Sequence, residues 1–202
     1  MPSRRAVVLV EGVSDRLALE ALARRRGRDL AAEGVTVLAM GGSKNIGAFL
    51  QRYGPQGLDL ELAGLCDAGE EGDFRRGLER AGLGTDLTRV EMEQVGFFVC
   101  VEDLEDELIR ALGAGAVERV LGALGDLAPF RTFQKQPEWQ GRPIERQLRR
   151  FLGAGSGRKA QSAPLLVDAL DLDRIPRPLA CVLAHVSSGR LPRGSTTRNG
   201  RE

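Results

Sequence analysis

Acidic residues follow short apolar runs at three places in the first half of this sequence. The first run ends at Glu11, and Asp15 stands four residues further on. A later run ends at Asp67, and the last is followed by three acids, Glu102, Asp103 and Glu105. Carboxylates that lie close together raise one another's pKa unless a cation neutralises them. Oxygen ligands without histidine or cysteine suit Mg²⁺ or Mn²⁺, so the pattern predicts a site for one or two divalent cations.

Each acid taken alone has a simpler interpretation. Asp15 in the first turn of a helix would interact favourably with the helix dipole, and an acid in a loop is commonly only solvated. The coincidence at three run ends favours a shared site. Bound metal ions can activate water without a histidine base. This agrees with a sequence whose single histidine, His185, lies near the end of the last predicted helix and is interpreted as a surface or core residue.

The acids would be positioned by alternating strands and helices. Four strand-like runs are followed by amphipathic segments that begin after Gly, Ser or acidic residues. The predicted strands are 6–10, 35–40, 62–66 and 96–101, and the predicted helices between and after them are 15–26, 45–53, 74–81 and 104–112. Ser14 is the expected N-cap of the first helix and Gly27 its stop. The alternation predicts an α/β fold with a parallel four-stranded sheet, whose strand carboxyl ends share one edge.

From about residue 113 the pattern is helical only. The predicted helices are 116–124, 143–152, 159–170 and 178–186. We therefore predict an α/β domain at 1–112, a helical C-terminal extension at 113–186, and a disordered polar tail at 187–202. Trp139, with Phe130 and Phe133, is interpreted as core packing of the extension rather than as a platform for stacking bases.

Composition sets wider limits. The 202 residues carry 29 Lys and Arg against 28 Asp and Glu, so net charge identifies no partner. Basic clusters at 24–28, 75–80 and 146–150 beside acidic groups suit an enzyme that holds a polyanion, although solvated helix faces would give the same pattern. No run of about 18 apolar residues predicts a membrane span. The absence of a signal sequence and of paired cysteines among the three present predicts a cytoplasmic chain with free thiols.

Five motifs resemble those of a Toprim domain, and specifically the C-terminal nuclease half of the OLD (overcoming lysogenisation defect) family. They are "VLVEGVSD" (8–15), "MGGSKN" (40–45), "LCDAGEE" (65–71), "DLEDEL" (103–108) and "GSGRKAQSAPLLVDAL" (155–170). The resemblance covers about residues 5–186. It implies a Toprim-type fold and a DNA endonuclease or nickase that hydrolyses phosphodiesters with two bound Mg²⁺ or Mn²⁺ ions.

The resemblance also implies roles for individual residues. Glu11 and Lys159 would be the catalytic residues, with Lys159 stabilising charge on the scissile phosphate. The implied metal ligands are Glu11, Asp15, Asp67, Glu70, Asp103 and Glu105. Lys44 and Arg158 are the candidate contacts to substrate phosphate.

Two features depart from the family pattern. The usual aspartate motif is D-x-D, but Ala68 and Gly69 follow Asp67 here and the next acid is Glu70, so one metal ion rather than two is an open alternative. The ATPase half of OLD proteins is absent, and "GGSKNIG" is not a P-loop. A separate ATPase chain and a second copy of this chain are therefore the candidate protein partners, beside DNA.

Two other classes of function stay open. A degenerate Toprim domain would bind nucleic acid or a protein without cutting, and the altered aspartate motif motivates that alternative. A phosphoacceptor signalling domain would also place an acid after the first strand and an aspartate after the third, but it needs a lysine after a fifth strand that the sequence does not predict. Strand passage by a topoisomerase needs a nucleophilic tyrosine, and the only tyrosine, Tyr53, is expected to pack at a helix end.

Overall fold

The computed structural model describes residues 5–154 and 157–187, and within them it contains one four-stranded parallel sheet. The strands are β1 (Ala6–Val10), β2 (Val35–Ala39), β3 (Glu61–Cys66) and β4 (Phe97–Val99). Their order across the sheet is β2-β1-β3-β4, and every neighbouring pair is parallel. The predicted α/β class and the parallel sheet are confirmed, and each strand begins and ends close to its expected bounds.

Helices follow every strand, and the regular elements described after β4 are all helical. The α-helices are α1 (Val13–Arg25), α2 (Ile46–Tyr53), α3 (Glu71–Arg80), α4 (Arg89–Gln94), α5 (Leu104–Leu112), α6 (Ala114–Ala123), α7 (Leu127–Gln134), α8 (Ile144–Gly153), α9 (Arg158–Ala169) and α10 (Arg177–Ser187). Helices α4 and α7 were not predicted. Each buries a single side chain, Met92 and Phe130 respectively, so neither has an apolar periodicity that sequence reasoning can detect.

Two clusters of buried side chains lie on opposite faces of the sheet. Alternate residues of β1 enter one or the other, which explains why the whole strand is apolar. Helices α2, α3 and α4 cover one face, while α1, α5, α6, α8, α9 and α10 share a cluster on the other. The helical extension is thus packed on the sheet, and the predicted division of the chain at residue 112 stays a prediction. The predicted tail lies outside the described residues except for Ser187, which ends α10.

The start of α1 differs from the prediction in a way that matters for the acids. The helix begins at Val13 with Gly12 as its N-cap, so the expectation that Ser14 caps it is wrong. Asp15 occupies the third helical position, and its Oδ2 accepts a hydrogen bond of 2.8 Å from the Gly12 N–H. The carboxylate is therefore turned back toward the end of β1. The helix stops as expected before Gly27, whose φ of +70° suits a helix terminus.

Two further predictions concern the cysteines and the membrane. Cys66, Cys100 and Cys181 are free thiols, and burial raises the pKa of the first two, which keeps them protonated. None of the described helices has both the length and the apolar character needed to cross a membrane.

Gly64 in β3 offers a test of the strand pairing that places Asp67. A Cβ at this position would lie 2.5 Å from Phe97 Cδ1 in β4. We expect Gly64→Ala to destabilise the fold by roughly 1–3 kcal/mol, the usual effect of overpacking, when unfolding is measured in urea. Gly47→Ala in α2 is the control, because a Cβ there meets nothing within 4 Å. That change should leave the protein as stable or more stable by about 0.4–1 kcal/mol, and equal effects of the two changes would contradict this packing.

Candidate functional site

The acids predicted to converge do lie together at the carboxyl edge of the sheet. Glu11 follows β1, Asp67 follows β3, and Asp103 and Glu105 stand at the start of α5, after β4. Their electrostatic influence on one another is direct: the pKa of the Asp67 carboxyl is raised to about 7, first by burial and then by the charges of Asp15, Asp103, Glu105 and Glu11. The Asp67 carboxylate is therefore influenced by four others, which come from two other segments of the chain.

Asp15 and Glu11 show the same effect. Burial is the main cause that raises the pKa of Asp15 to about 6; the hydrogen bond from Gly12 opposes it, and the charges of Glu105 and Glu11 add to it. The pKa of Glu11 is also raised, first by burial and then by the nearby charge of Glu70. Burial, together with the neighbouring charges, disfavours the ionisation of these three carboxylates. Such a set binds a proton or a cation more readily than isolated surface acids do.

A lysine from the C-terminal helices enters this acidic group. Lys159, at the start of α9, places its Nζ 2.7 Å from Glu105 Oε2, and Glu105 is almost fully buried. Burial alone would lower the pKa of Lys159, but the charges of Glu105, Asp103 and Asp67 outweigh it and raise the pKa. The side chain keeps 41% of its surface exposed, so the ammonium remains within reach of a ligand.

Asp103 and Glu70 already have partners in the fold. Asp103 is the N-cap of α5, where its Oδ1 accepts a 2.8 Å bond from the Asp106 N–H, and its Oδ2 accepts a 2.7 Å bond from Arg149 Nε of α8. Glu70 Oε2 lies 2.6 Å from the Ser43 hydroxyl, in the loop that follows β2. A metal ion would share these two carboxylates with structural contacts, whereas Glu11 and Asp67 have neither a hydrogen bond nor an ion pair to their carboxylates within 5–154 and 157–187.

Backbone hydrogen bonds fix the loops that carry the acids. The N–H groups of Gly41 and Gly42, after β2, donate to the Glu11 carbonyl at 3.0 and 3.2 Å. The Ala68 N–H donates to the Glu102 carbonyl at 2.9 Å and so joins the loop after β3 to the loop after β4. Residues Ala68–Glu70 form a short 3₁₀ turn that joins Asp67 to α3. Backbone hydrogen bonds therefore join the loops after β1 and β2 to each other, and the loops after β3 and β4 to each other.

The two predicted phosphate contacts differ in their surroundings. Lys44 is exposed in the 3₁₀ turn Ser43–Asn45, and its charge helps to lower the pKa of Asp73. Arg158 is engaged by the helical extension: its Nε lies 3.1 Å from Asp126 Oδ2, its Nη1 donates to a carbonyl at 2.9 Å, and its guanidinium lies 4.1 Å from the Phe151 ring centre. A phosphate at Arg158 would compete with these contacts, and both assignments stay predictions.

Two residues near the site were not predicted. Ser43 joins the loop after β2 to Glu70, and Arg149 holds Asp103 and also contacts Glu102 at 3.2 Å. Arg149 belongs to the basic cluster 146–150, which is apparent in the sequence, but the sequence does not indicate that Arg149 pairs with Asp103. Ser43 carries no signal in the sequence beyond its position after a glycine pair.

The donor set fits a hard divalent cation. All the candidate ligands are carboxylates, and those with the raised pKa values are partly buried, which is an environment in which a cation relieves the mutual repulsion. In the part of the chain that the structure describes, no three such groups already stand at coordinating positions. Glu11, Asp15 and Asp67 are the residues that would hold the ion, since their charges influence one another most directly.

Comparisons with known proteins place this edge in a family context. Residues 4–68 match the family model described as overcoming lysogenization defect protein-like, TOPRIM domain, a segment that includes Glu11, Asp15 and Asp67 but neither Glu105 nor Lys159. Curated protein sequences show no significant match.

Solved structures resemble the chain over most of its length. The C-terminal region of the Burkholderia pseudomallei OLD protein is 20% identical, with a TM-score of 0.71 over 91% of this chain and 97% of that one, a likeness of fold alone. A C-terminal region of the Xanthomonas campestris pv. campestris OLD protein is 25% identical, with a TM-score of 0.72 over 90% and 91% of the two chains. Another structure of that region is 26% identical, with a TM-score of 0.67 over 92% and 95%.

The raised pKa values predict how stability depends on pH without metal. A carboxyl whose pKa rises on folding destabilises the fold once ionised, so Asp15 and Asp67 should cost stability as the pH rises from about 4 through about 7. We expect metal-free Asp67→Asn to melt a few degrees above the wild type at about pH 8 and at the same temperature at about pH 4, since about 1 kcal/mol shifts Tm by roughly 2–4 °C at this length.

Metal ions should remove that difference. Added Mn²⁺ is expected to raise the melting temperature of the wild type at about pH 8 much more than that of Asp67→Asn, because bound ligand stabilises only a protein that can bind it. Asp59→Asn, in an exposed turn where asparagine tolerates the positive φ of 48°, is the control and should follow the wild type. Equal Mn²⁺ shifts in all three proteins would count against a metal site at Asp67.

Proposed function

We propose, from the premise that this chain carries an OLD-like Toprim domain and resembles in fold the C-terminal region of OLD proteins, that it is a divalent-metal-dependent DNA endonuclease or nickase. The observation that carries the proposal is the convergence of Glu11, Asp15 and Asp67 at one sheet edge with raised pKa values. A pair of Mg²⁺ or Mn²⁺ ions, when bound, supplies an activated water and stabilises charge on the attacking and leaving oxygens of a phosphodiester.

The protein's part is to hold its ligands in place before substrate arrives. The Gly12 N–H fixes the Asp15 carboxylate at 2.8 Å, and the N–H groups of Gly41 and Gly42 fix the backbone of Glu11. Asp67 directly follows β3, an inner strand that pairs with β1 on one side and with β4 on the other, and this pairing sets its backbone position. These contacts fix the backbone that carries the ligands, and the charges gathered there are already unfavourable without an ion.

Lys159 is suited to stabilise negative charge on the reacting phosphate. Its ammonium is oriented by Glu105 and kept protonated by the surrounding carboxylates, yet its side chain remains partly exposed. A fixed cation beside a group of metal ligands can contact a non-bridging phosphate oxygen without reorganising during the reaction. In this arrangement Glu105 acts mainly by positioning Lys159, and its role as a direct metal ligand is the alternative.

The altered aspartate motif supports a second candidate, a Toprim domain that binds without cutting. Ala68 and Gly69 stand where a second aspartate is usual, and Asp103 is held by Arg149 and by the start of α5. One metal ion held by Glu11, Asp15 and Asp67 would bind a phosphate but lack a partner ion. Counting the anomalous peaks near Asp67 in crystals soaked with Mn²⁺ separates two ions from one or none.

A phosphoacceptor domain has weaker support. Such a domain places its lysine after a fifth strand, and the described part of the chain has a sheet of four strands, with Lys159 on helix α9 instead. Treatment with a small phosphodonor and Mg²⁺ would leave a phosphoryl group on Asp67 in that case, detectable by mass. The partnership with a separate ATPase, the homodimer and the cytoplasmic location stay predictions.

Plasmid nicking tests the proposal. With Mn²⁺ the native chain should convert supercoiled plasmid to nicked or linear forms, and Glu11→Ala and Asp67→Ala should each abolish the conversion because the ligand set is incomplete without either residue. Glu20→Ala is the matched control, since Glu20 lies on α1 with Asp15 but forms only a 3.7 Å surface pair with Arg16. Cutting that survives both ligand changes would remove the nuclease assignment.

Lys159→Met tests the role of the lysine separately from metal binding. The loss of a preorganised charge donor should lower kcat by about 10²–10³-fold while the Mn²⁺-induced rise in melting temperature is retained. Lys135→Met, which removes the same charge from an exposed helix end, is expected to leave kcat within a factor of about two. If Lys159→Met cuts at the native rate, the lysine takes no part in the chemistry.

A further inference from the structure

A basic cleft of about 720 Å³ opens beside the acidic edge, between α8, the start of α9 and the loop that precedes α8. Its lining includes two acids against five cations, and one aromatic ring lies among them. The cations and the ring are Arg142, Arg146, Arg149, Arg150, Lys159 and Trp139. In this lining, Lys159 contacts Glu105 and Arg149 contacts Asp103. The cleft therefore lies directly beside the candidate metal ligands.

Three of the arginines form a stripe along one face of α8. Arg146, Arg149 and Arg150 are spaced as i, i+3 and i+4, which puts them on the same side of a helix. Gly153, one turn further, also lines the cleft, and a Cβ there would lie 3.7 Å from Lys159 Cε. The stripe of arginines therefore leads along α8 to Lys159. The opposite face of α8 is buried in the core.

The arginines at the outer part of the cleft carry positive charge that no described acid neutralises. Arg142, Arg146 and Arg150 are exposed and form no ion pair within the described residues. Other arginines on the surface are neutralised locally, as Arg131 is by Glu118 and Arg177 by Glu93. An unneutralised row of guanidinium groups is what a string of phosphates requires.

The loop beside the stripe is built to present an aromatic ring. The buried amide of Gln147 donates to the carbonyls of Trp139 at 2.8 Å and Arg142 at 3.0 Å, and it accepts from Gln134 Nε2 at 2.6 Å. Trp139 packs on Phe133 with ring centres 5.0 Å apart. Phe130 is fully buried, as expected of a core residue, but Trp139 is only half-buried and lines the cleft, so the interpretation of all three as core is too simple.

We propose that this cleft binds an unpaired strand of DNA, with phosphates on the arginine stripe and a base stacked on Trp139, and leads that strand to the carboxylate edge. The inference rests on the proposed function, because it identifies the form of substrate that the same site would receive. The volume lies within the range of sites that hold small ligands, which suits one or two nucleotides. Inside a duplex the base faces are already stacked, whereas an unpaired strand offers each of its bases to the ring.

Fluorescence of the single tryptophan of the chain provides a direct test. Titration in EDTA with a thymidine oligonucleotide of about twelve nucleotides, within the ~4–16 that a single-strand module covers, should quench the emission of Trp139. A blunt duplex of the same length should quench little. Anisotropy of a labelled oligonucleotide measures the same binding for variants without the tryptophan: Trp139→Ala should weaken it by about 5- to 100-fold, and Trp139→Phe by less.

The arginines are tested through the salt dependence of binding. Arg146→Gln with Arg150→Gln should reduce the slope of log Kd against log salt by about 1.4, because each single-strand phosphate that an arginine neutralises adds about 0.7 to that slope. Arg52→Gln with Arg80→Gln, the same charge change on helices α2 and α3 across the sheet, should leave the slope unchanged. These exposed arginine variants are expected to melt like the wild type, so their result does not depend on a folding defect at Trp139.

The results separate this inference from the proposed function. If Trp139 is quenched and the arginine changes reduce the salt slope, but plasmid is not nicked, the cleft is a binding site for single-stranded DNA and the proposed nuclease activity is wrong. Nicking by a protein whose tryptophan is not quenched, or that binds duplex as tightly as single strand, would overturn the inference alone. A slope that falls equally in both arginine pairs would also overturn it, because the charge effect would then be general.

Discussion

The burial and mutual repulsion of carboxylates at the carboxyl edge of the sheet is the constraint on which the rest of this structure depends. Burial and the nearness of like charges raise the pKa of Glu11, Asp15 and Asp67, and the hydrogen bond from Gly12 to Asp15 offsets only part of that cost. A fold that keeps such a group must either protonate it or supply positive charge. The cations of the C-terminal helices supply part of that positive charge, and the proposed metal ions would supply more.

The C-terminal helices supply the protein's own positive charge at this edge. Lys159 of α9 pairs with the buried Glu105, and Arg149 of α8 pairs with Asp103, so both helices reach the acids that follow β4. Since these helices and the sheet share one core cluster, the position of each cation is set by packing of apolar side chains rather than by a flexible loop. The extension is thus part of the site as well as of the fold.

Negative charge lies at the centre of the candidate site and positive charge lies on one side of it, along α8. Glu11, Asp15 and Asp67 lie at the ends of the central strands, while the arginines without partners in the described part lie further out along α8. Positive charge at the approach and negative charge at the centre would draw in a polyanion and leave the innermost position to a cation. The buried Gln147, which fixes the loop beside α8, makes this approach a preformed surface.

Local pattern by itself determined the alternation of strands and helices, the parallel sheet and the placement of Glu11, Asp15 and Asp67 at one edge, because strand periodicity and short connections leave little freedom in such a fold. It missed α4 and α7, each of which buries one side chain, and it placed the N-cap of α1 at Ser14 rather than Gly12. Only the tertiary structure decided that Glu105 faces Lys159, 54 residues away, and that Arg149 holds Asp103. Such pairs depend on how distant helices pack against one another, and spacing along the chain carries no record of that geometry.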